Sequence, residues 1–145
     1  MTNGSLEGSF AADAGILIEF VFGSRRGKWL KEQVISQMIQ LVTHEIAITE
    51  LGYILCRRLG LEQAQSRVSD LLSSGYLEVQ ETSALIKEAS TIKCQRKISL
   101  PDCFTLALAD HMKIPALFSS RETEITKEVE KDPFNIEIKY LEDFD

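Results

Sequence analysis

The sequence is poor in the residues that staple or interrupt a chain: three cysteines, three prolines and a single tryptophan among 145 residues. Cys56, Cys94 and Cys103 show neither CxxC nor Cys/His spacing, and an odd count argues against a disulfide framework or a zinc knuckle. Each falls in a predicted helix, where a free thiol behaves as a small apolar group, so a reducing cytoplasm is the expected compartment. No apolar run approaches the roughly 18–20 residues of a membrane span. The opening "MTNGSLEGSF" has no positive segment ahead of an apolar block. A signal peptide is therefore not expected, and residues 1–8 read as a flexible leader. Walker loops, dinucleotide fingerprints and nucleophile elbows are all missing. So is an excess of positive charge. At a net charge of −6, a protein that binds nucleic acid by general phosphate attraction is disfavoured.

What is present suits one globular domain. At 44% hydrophobic and 26% charged, the chain can bury a core without staples. No repeat, low-complexity tract or linker divides it, so residues 9–145 are read as a single domain. Cationic clusters occur at Arg25, Arg26, Lys28 and Lys31, at Arg57 and Arg58, and at Lys93, Arg96 and Lys97. Their ordinary reading is solvated helix faces.

Local signals alternate along the chain. Residues 9–12 read as a short buried strand, "AGILIEFVFG" as a helix ending at Gly23, "GKWLKEQVISQ" as a second helix and "MIQLVT" as a strand. Thr43 is the expected cap of the next helix, which stops at Gly60. "LEQAQSRVSDLLSSG" is helical, "YLEVQ" extended, and "SALIKEASTIKCQRK" an amphipathic helix. Ser99, Pro101 and Asp102 open a further helix. "IPALFS" is a buried strand, "ETEITKEVEK" a helix, and "FNIEIKYL" a strand by strict alternation. Strands separated by helices imply an α/β fold, with a mostly parallel sheet and helices on both faces. Ligand sites in such folds lie at the carboxyl ends of the strands.

Three acids stand out against that pattern. Asp13 follows the first strand, Glu50 sits in the apolar stripe of Ile46, Ala47, Leu51 and Ile54, and Asp102 shares a helical face with Leu106 and Ala109. Each has a plain structural explanation. Asp13 suits an N-cap, "SLPD" has the form of a capping box, and Glu50 can pair with Arg57 or Arg58. His44 and His111 have no ligand-spaced partner and read as surface residues. Taken together, convergent carboxylates without a nucleophile or zinc-type ligands point to a hard divalent cation, Mg²⁺ or Mn²⁺.

The order of Asp13 after the first strand, Glu50 in "TELGYILCRRLG" and Asp102 in "ISLPDCFTLALADHMKIPALFS" resembles the PIN domain across residues 9–141. The likeness is to its small prokaryotic members, including toxin subunits of the VapBC toxin–antitoxin class. The resemblance implies a Mg²⁺- or Mn²⁺-dependent ribonuclease with Asp13, Glu50 and Asp102 as metal ligands. It also implies a fourth acid after the fourth strand, where Ser119 and Ser120 fit the pattern. Arg121 stands in that acid's place, and Glu122 follows it as the implied fourth ligand. RNA would be positioned by Ser119, Ser120, Arg25, Arg26 and Lys28, or by Lys93, Arg96 and Lys97. An antitoxin partner and a homodimer are implied as well. Ile16, Leu17, Phe20 and Phe22 serve an association surface or core packing equally well on sequence alone. The alternative function is a PIN-like module that binds RNA or protein without meaningful catalysis, with the Arg121 cation in place of a metal. A further alternative is an unrelated α/β domain whose acids only cap and pair. There, neutralising Asp102 costs about 1 kcal/mol and nothing else.

Overall fold

The computed structural model describes residues 6–144. The elements follow in the order β1 (Gly8–Ala12), α1 (Ala14–Phe22), α2 (Arg25–Ile35), β2 (Ile39–His44), α3 (Glu45–Leu59) and α4 (Leu61–Ser73). They continue with β3 (Leu77–Gln80), α5 (Ile86–Gln95), α6 (Leu100–Met112), β4 (Ala116–Phe118), α7 (Thr123–Lys131) and β5 (Ile138–Tyr140). A 3₁₀ turn over Leu141–Asp143 follows β5. The five strands form one all-parallel sheet in the order β3-β2-β1-β4-β5.

Alternation along the strands divides the core in two. Phe10 and Ala12 of β1, Leu41 of β2 and Leu117 of β4 face α1 to α4. Ala11, Val42, Ala116 and Phe118 point the other way, toward α5, α6 and α7. Successive strand side chains point to opposite faces, so a strand buried on both sides reads as continuously apolar, as "FAA" and "ALF" do. The expected parallel α/β architecture is the one that forms. Ile16, Leu17 and Phe20 are buried in the first of these clusters, so α1 spends them on core packing rather than on an association surface.

Several boundaries differ from the sequence reading, each for a local reason. Helix α2 starts at Arg25, two residues early, because the Ser24 hydroxyl accepts from the Gly27 N–H at 3.0 Å. Gly27 is needed there, since a Cβ at this position would lie 1.8 Å from the Glu19 carbonyl oxygen. Strand β5 is three residues rather than eight because β4 offers only Ala116, Leu117 and Phe118 for pairing. Residues 1–5 of the expected leader lie outside the described residues. Leu6 is buried in the core, and Gly8 opens β1 in register with Ile39.

The chain runs from β1 outward to β2 and β3, then crosses to β4 and β5 on the other side. The order therefore reverses between β1 and β4. In open parallel sheets the crevice at that reversal, beyond the strands' carboxyl ends, is where sites are built.

Candidate metal centre

Asp13 is the residue directly after β1, and Ser119 directly follows β4, so both stand at this crevice. Asp13 does cap α1, its Oδ1 accepting from the Ile16 N–H at 3.0 Å. A carboxylate offers about four lone-pair sites, so capping leaves acceptor capacity free. Asp102 stands in the first turn of α6, where the Ser99 hydroxyl accepts from its N–H at 3.4 Å. The Asp102 side chain is buried. Glu122 occupies the N-cap position of α7, yet its side chain makes no capping bond. It reaches across the crevice instead.

One carboxylate oxygen each of Asp13, Asp102 and Glu122 lies within 4.8 Å of the others, the only such grouping of metal-ligating side chains among the described residues. Glu50, on the second turn of α3 and half-buried, is not part of this trio. It lines a cleft of about 370 Å³ with Asp13 and Glu122 of the trio, together with Gly15, Glu19, Ser119 and Ser120. No ion pair with Arg57 or Arg58 occupies it; those guanidiniums lie over the rings of Tyr53 and Phe22 at 4.8 and 5.2 Å. Larger depressions of about 520 and 590 Å³ lie beside β3 and between α3 and α4. Neither gathers carboxylates, so chemistry rather than size marks the acidic cleft.

The electrostatics are those of a site built for positive charge. Burial, and then the charges of Asp102, Glu122 and Glu50, raise the Asp13 carboxyl well above its usual range against the pull of the Ile16 N–H. Burial also raises Asp102, with hydrogen bonds to Glu122 and Ser99 acting in the opposite direction. Glu122 is pushed up to about 7 by burial first and by Asp102 second. Glu50 is raised by burial and by Asp102. Three clustered acids with raised pKa values, with Glu50 facing them, either hold protons or hold a cation.

Arg121 does not enter the cluster. Its guanidinium is bound to Glu142 and Asp143 at 3.1 and 2.7 Å and lies 4.6 Å from the Tyr140 ring centroid. The supposed substitute for the metal's charge thus faces away and is already paired. The other cations expected at RNA are placed unevenly. Arg96 is enclosed by Glu128, Asp132 and the ring of Phe134, and Lys93 donates to the Ile98 carbonyl at 2.7 Å. Arg25, Arg26 and Lys28 stand in the first turn of α2. Ser24, the cap of that helix, donates its hydroxyl to Glu19 at 3.1 Å.

Three contributors escaped the sequence reading. Glu19, the lone acid of an apolar helix, lines the cleft and accepts a hydrogen bond from the Ser119 hydroxyl. That isolation was the available signal. Gly15 keeps the space beside Asp13 open, since a Cβ there would meet the Asp13 carboxylate and Ser119 Cβ at 3.3 Å. His44 is not a surface residue. It is fully buried and caps α3 in place of Thr43, whose hydroxyl donates to the Ala12 carbonyl at 2.8 Å. The His44 Nδ1 accepts from the Ala47 N–H at 3.1 Å, which assigns its proton to Nε2, 2.9 Å from Thr105 Oγ1. This bond joins the helix of Glu50 to the helix of Asp102. His111 is exposed, as expected.

Burial lowers the His44 pKa to about 4. A histidine depressed in the folded state contributes stability that is complete above its unfolded pKa of about 6.5 and is lost as pH falls toward 4. Between pH 7 and pH 5 the wild type is expected to lose about 2 kcal/mol more in chemical denaturation than His44→Asn, so the histidine's share is read as the difference between the two profiles.

Comparison with known proteins bears on the family and the fold. The PIN domain family model matches residues 11–128. Mycobacterium tuberculosis VapC20, a sarcin–ricin loop cleaving toxin, superposes with a TM-score of 0.63 at 18% identity, over 83% of this chain and 95% of that one. VapBC2 from Rickettsia felis, bound to a DNA fragment from its promoter, gives 0.61 at 15% identity, over 92% and 98%. A toxin–antitoxin complex from Klebsiella pneumoniae gives 0.56 at 19% identity, over 78% and 86%. No curated protein matches the sequence. The structural likenesses speak for the fold, and the family model spans Asp13 at the end of β1 and the helices bearing Glu50 and Asp102; the chain belongs to the PIN domain family.

Proposed function

We propose that this protein is a Mg²⁺- or Mn²⁺-dependent ribonuclease that hydrolyses RNA phosphodiester bonds, and that it acts as the toxin of a toxin–antitoxin pair. The observation that carries this reading is the approach of Asp13, Asp102 and Glu122 oxygens to within 4.8 Å at the β1/β4 crevice. Three such carboxylates repel one another unless protonated or bridged by a cation. A set of carboxylate oxygens without nitrogen or sulfur ligands suits a hard ion that retains several waters. The donor set therefore fits the metal that the family uses.

Asp13, Asp102 and Glu122 would hold the ion, and Glu50 would face it from the α3 wall of the cleft. A divalent cation, when bound, lowers the pKa of a water and offsets charge on the scissile phosphate. Ser119, oriented by its bond to Glu19, and Ser120 line the cleft and would meet the RNA backbone, with Arg25, Arg26 and Lys28 of α2 as further contacts. Backbone contacts of this kind position a substrate without reading its sequence. Arg121, which spoke for a metal-free binding module, is held by Glu142 and Asp143 rather than by the acidic cluster, so it does not stand in for the metal's charge there.

An antitoxin and a homodimer belong to the same proposal. The support for the antitoxin is that two of the similar structures are toxin–antitoxin assemblies. No helix among the described residues is long and apolar enough to cross a membrane.

The test is incubation of the purified protein with structured RNA in Mn²⁺, Mg²⁺ or EDTA. Cleavage with either ion and none with EDTA is the expected result. Retention of RNA with no cleavage in either ion, across a panel of structured and single-stranded RNAs, would favour the binding module. Light scattering on the same preparation is expected to give the mass of two chains.

A further inference from the structure

The segment between β4 and α7 carries Glu122, and it has no regular secondary structure to hold it. Its anchorage comes from the end of the chain. The Arg121 N–H donates to Glu142 Oε2 at 2.8 Å, and its guanidinium donates to the same oxygen at 3.1 Å. The guanidinium also makes a two-pronged contact with Asp143, at 2.8 Å to Oδ1 and 2.7 Å to Oδ2. Tyr140 lies beneath it. The Glu142 N–H donates to the Ser119 carbonyl at 3.1 Å, so the 3₁₀ turn grips both ends of the three-residue approach to Glu122. That turn is itself fixed, because Leu141 is fully buried and Tyr140 is paired in register with Phe118.

Exposed ion pairs add little stability, and Arg121 is half exposed, so fold stability does not account for so many contacts on one side chain. Geometry does. Glu122 has extended backbone angles, φ −104° and ψ 141°, and neighbouring side chains of an extended segment point to opposite sides. Holding Arg121 outward directs Glu122 inward. On the other side, the Glu122 carbonyl accepts from both the N–H and the hydroxyl of Thr126, at 3.0 and 2.8 Å. The residue is thus held by its backbone from both directions, while its carboxyl is left free of capping. A forked guanidinium suits this purpose, since it fixes direction as well as charge.

We propose that Arg121 is a positioning residue, clamped by Glu142 and Asp143 of the chain's end, that sets the reach of Glu122 into the acidic cluster. The departure from the family pattern at Arg121 then has a purpose. A carboxylate displaced by one residue reaches the crevice because its neighbour is pinned on the far side. The proposal rests on the reading of the cluster as a cation centre.

The experiment is Mn²⁺ titration of the full chain by isothermal calorimetry, with thermal melting of the metal-free protein as a check on folding. Arg121→Ala is expected to weaken Mn²⁺ binding about tenfold, the scale seen when an outer partner of a metal ligand is lost. Its melting temperature is expected to stay close to wild type. Arg121→Lys keeps one contact and is expected to fall between them. In the Glu122→Gln background, Arg121→Ala is expected to cause no further loss, because the two residues act through one carboxylate. Glu142→Gln combined with Asp143→Asn approaches the clamp from its other side and is expected to match Arg121→Ala. Wild-type affinity in Arg121→Ala, or an equal loss with and without Glu122, would overturn the proposal and leave the cation centre standing. A wild-type chain that binds no Mn²⁺ would overturn both.

Discussion

Asp102→Asn is expected to reduce metal-dependent RNA cleavage by at least about 100-fold while leaving the metal-free protein as stable as wild type or more so. The two halves of this result have one cause. Asp102 is buried, and its carboxyl is raised because ionising it there is costly. At neutral pH the metal-free protein carries that cost; asparagine, nearly isosteric and neutral, removes it. The capping bond at the start of α6 survives, because it runs from the Asp102 N–H to the Ser99 hydroxyl and does not use the carboxylate. What asparagine cannot do is supply an anionic ligand. Loss of an outer partner alone costs about 10- to 100-fold, so loss of a direct ligand belongs at or beyond the top of that range. Cleavage rates in Mn²⁺ and melting curves in EDTA check the two halves separately. Stability reduced by about 1 kcal/mol with cleavage intact would return Asp102 to the role of a helix cap.

In the His44→Asn background, where the opposing histidine contribution is absent, raising the pH of metal-free protein is expected to destabilise it over the range in which Glu122 ionises, and Mn²⁺ is expected to reverse the effect. A carboxyl whose folded pKa lies above its unfolded value favours the folded state fully below the unfolded pKa. That contribution is lost as pH rises through the folded one. For Glu122 the window runs from its ordinary 4.5 to about 7. Asp13, Asp102 and Glu50 are raised as well and act in the same direction. Cation and proton compete for the same oxygens, so Mn²⁺ affinity is expected to climb through this window and level off above it. At free Mn²⁺ a hundredfold above its dissociation constant, binding adds about 2.7 kcal/mol. For a chain of this size that corresponds to roughly 5–10 °C in melting temperature. Melting curves at pH 5 and pH 8, each with EDTA or Mn²⁺, give the four values needed. An equal Mn²⁺ effect at both pH values would show that the ion binds elsewhere. Glu122→Gln is expected to shrink the pH dependence and the metal effect together.

Local chemistry made much of the fold legible. The small, apolar "FAA" and "ALF" could be little other than strands buried on both faces, and Gly23 and Gly60 closed the helices they were expected to close. These signals involve residues next to one another in the chain. Where the reading slipped, a distant partner had decided the matter. Strand β5 was shortened by the length of β4, which lies some twenty residues before it. Thr43 caps nothing because the Ala12 carbonyl, on the neighbouring strand, takes its hydroxyl. His44 looked like a surface residue because nothing near it in sequence shows that Thr105 and Phe104 enclose it.

The same division runs through the site. Sequence alone determined which carboxylates were out of place, since Asp13, Glu50 and Asp102 each interrupt an apolar pattern within a few residues of themselves. It also determined the parallel α/β order that carries Asp13 and Ser119 to strand ends. Only the tertiary structure decided that Asp13, Asp102 and Glu122 meet, that Glu50 stands back from them, and that Arg121 faces outward to Glu142 and Asp143. The physical reason is range. Hydrophobic period and capping are set within one or two turns of chain, whereas a cluster of like charges exists only where backbones far apart in sequence are forced together by the burial of their apolar neighbours.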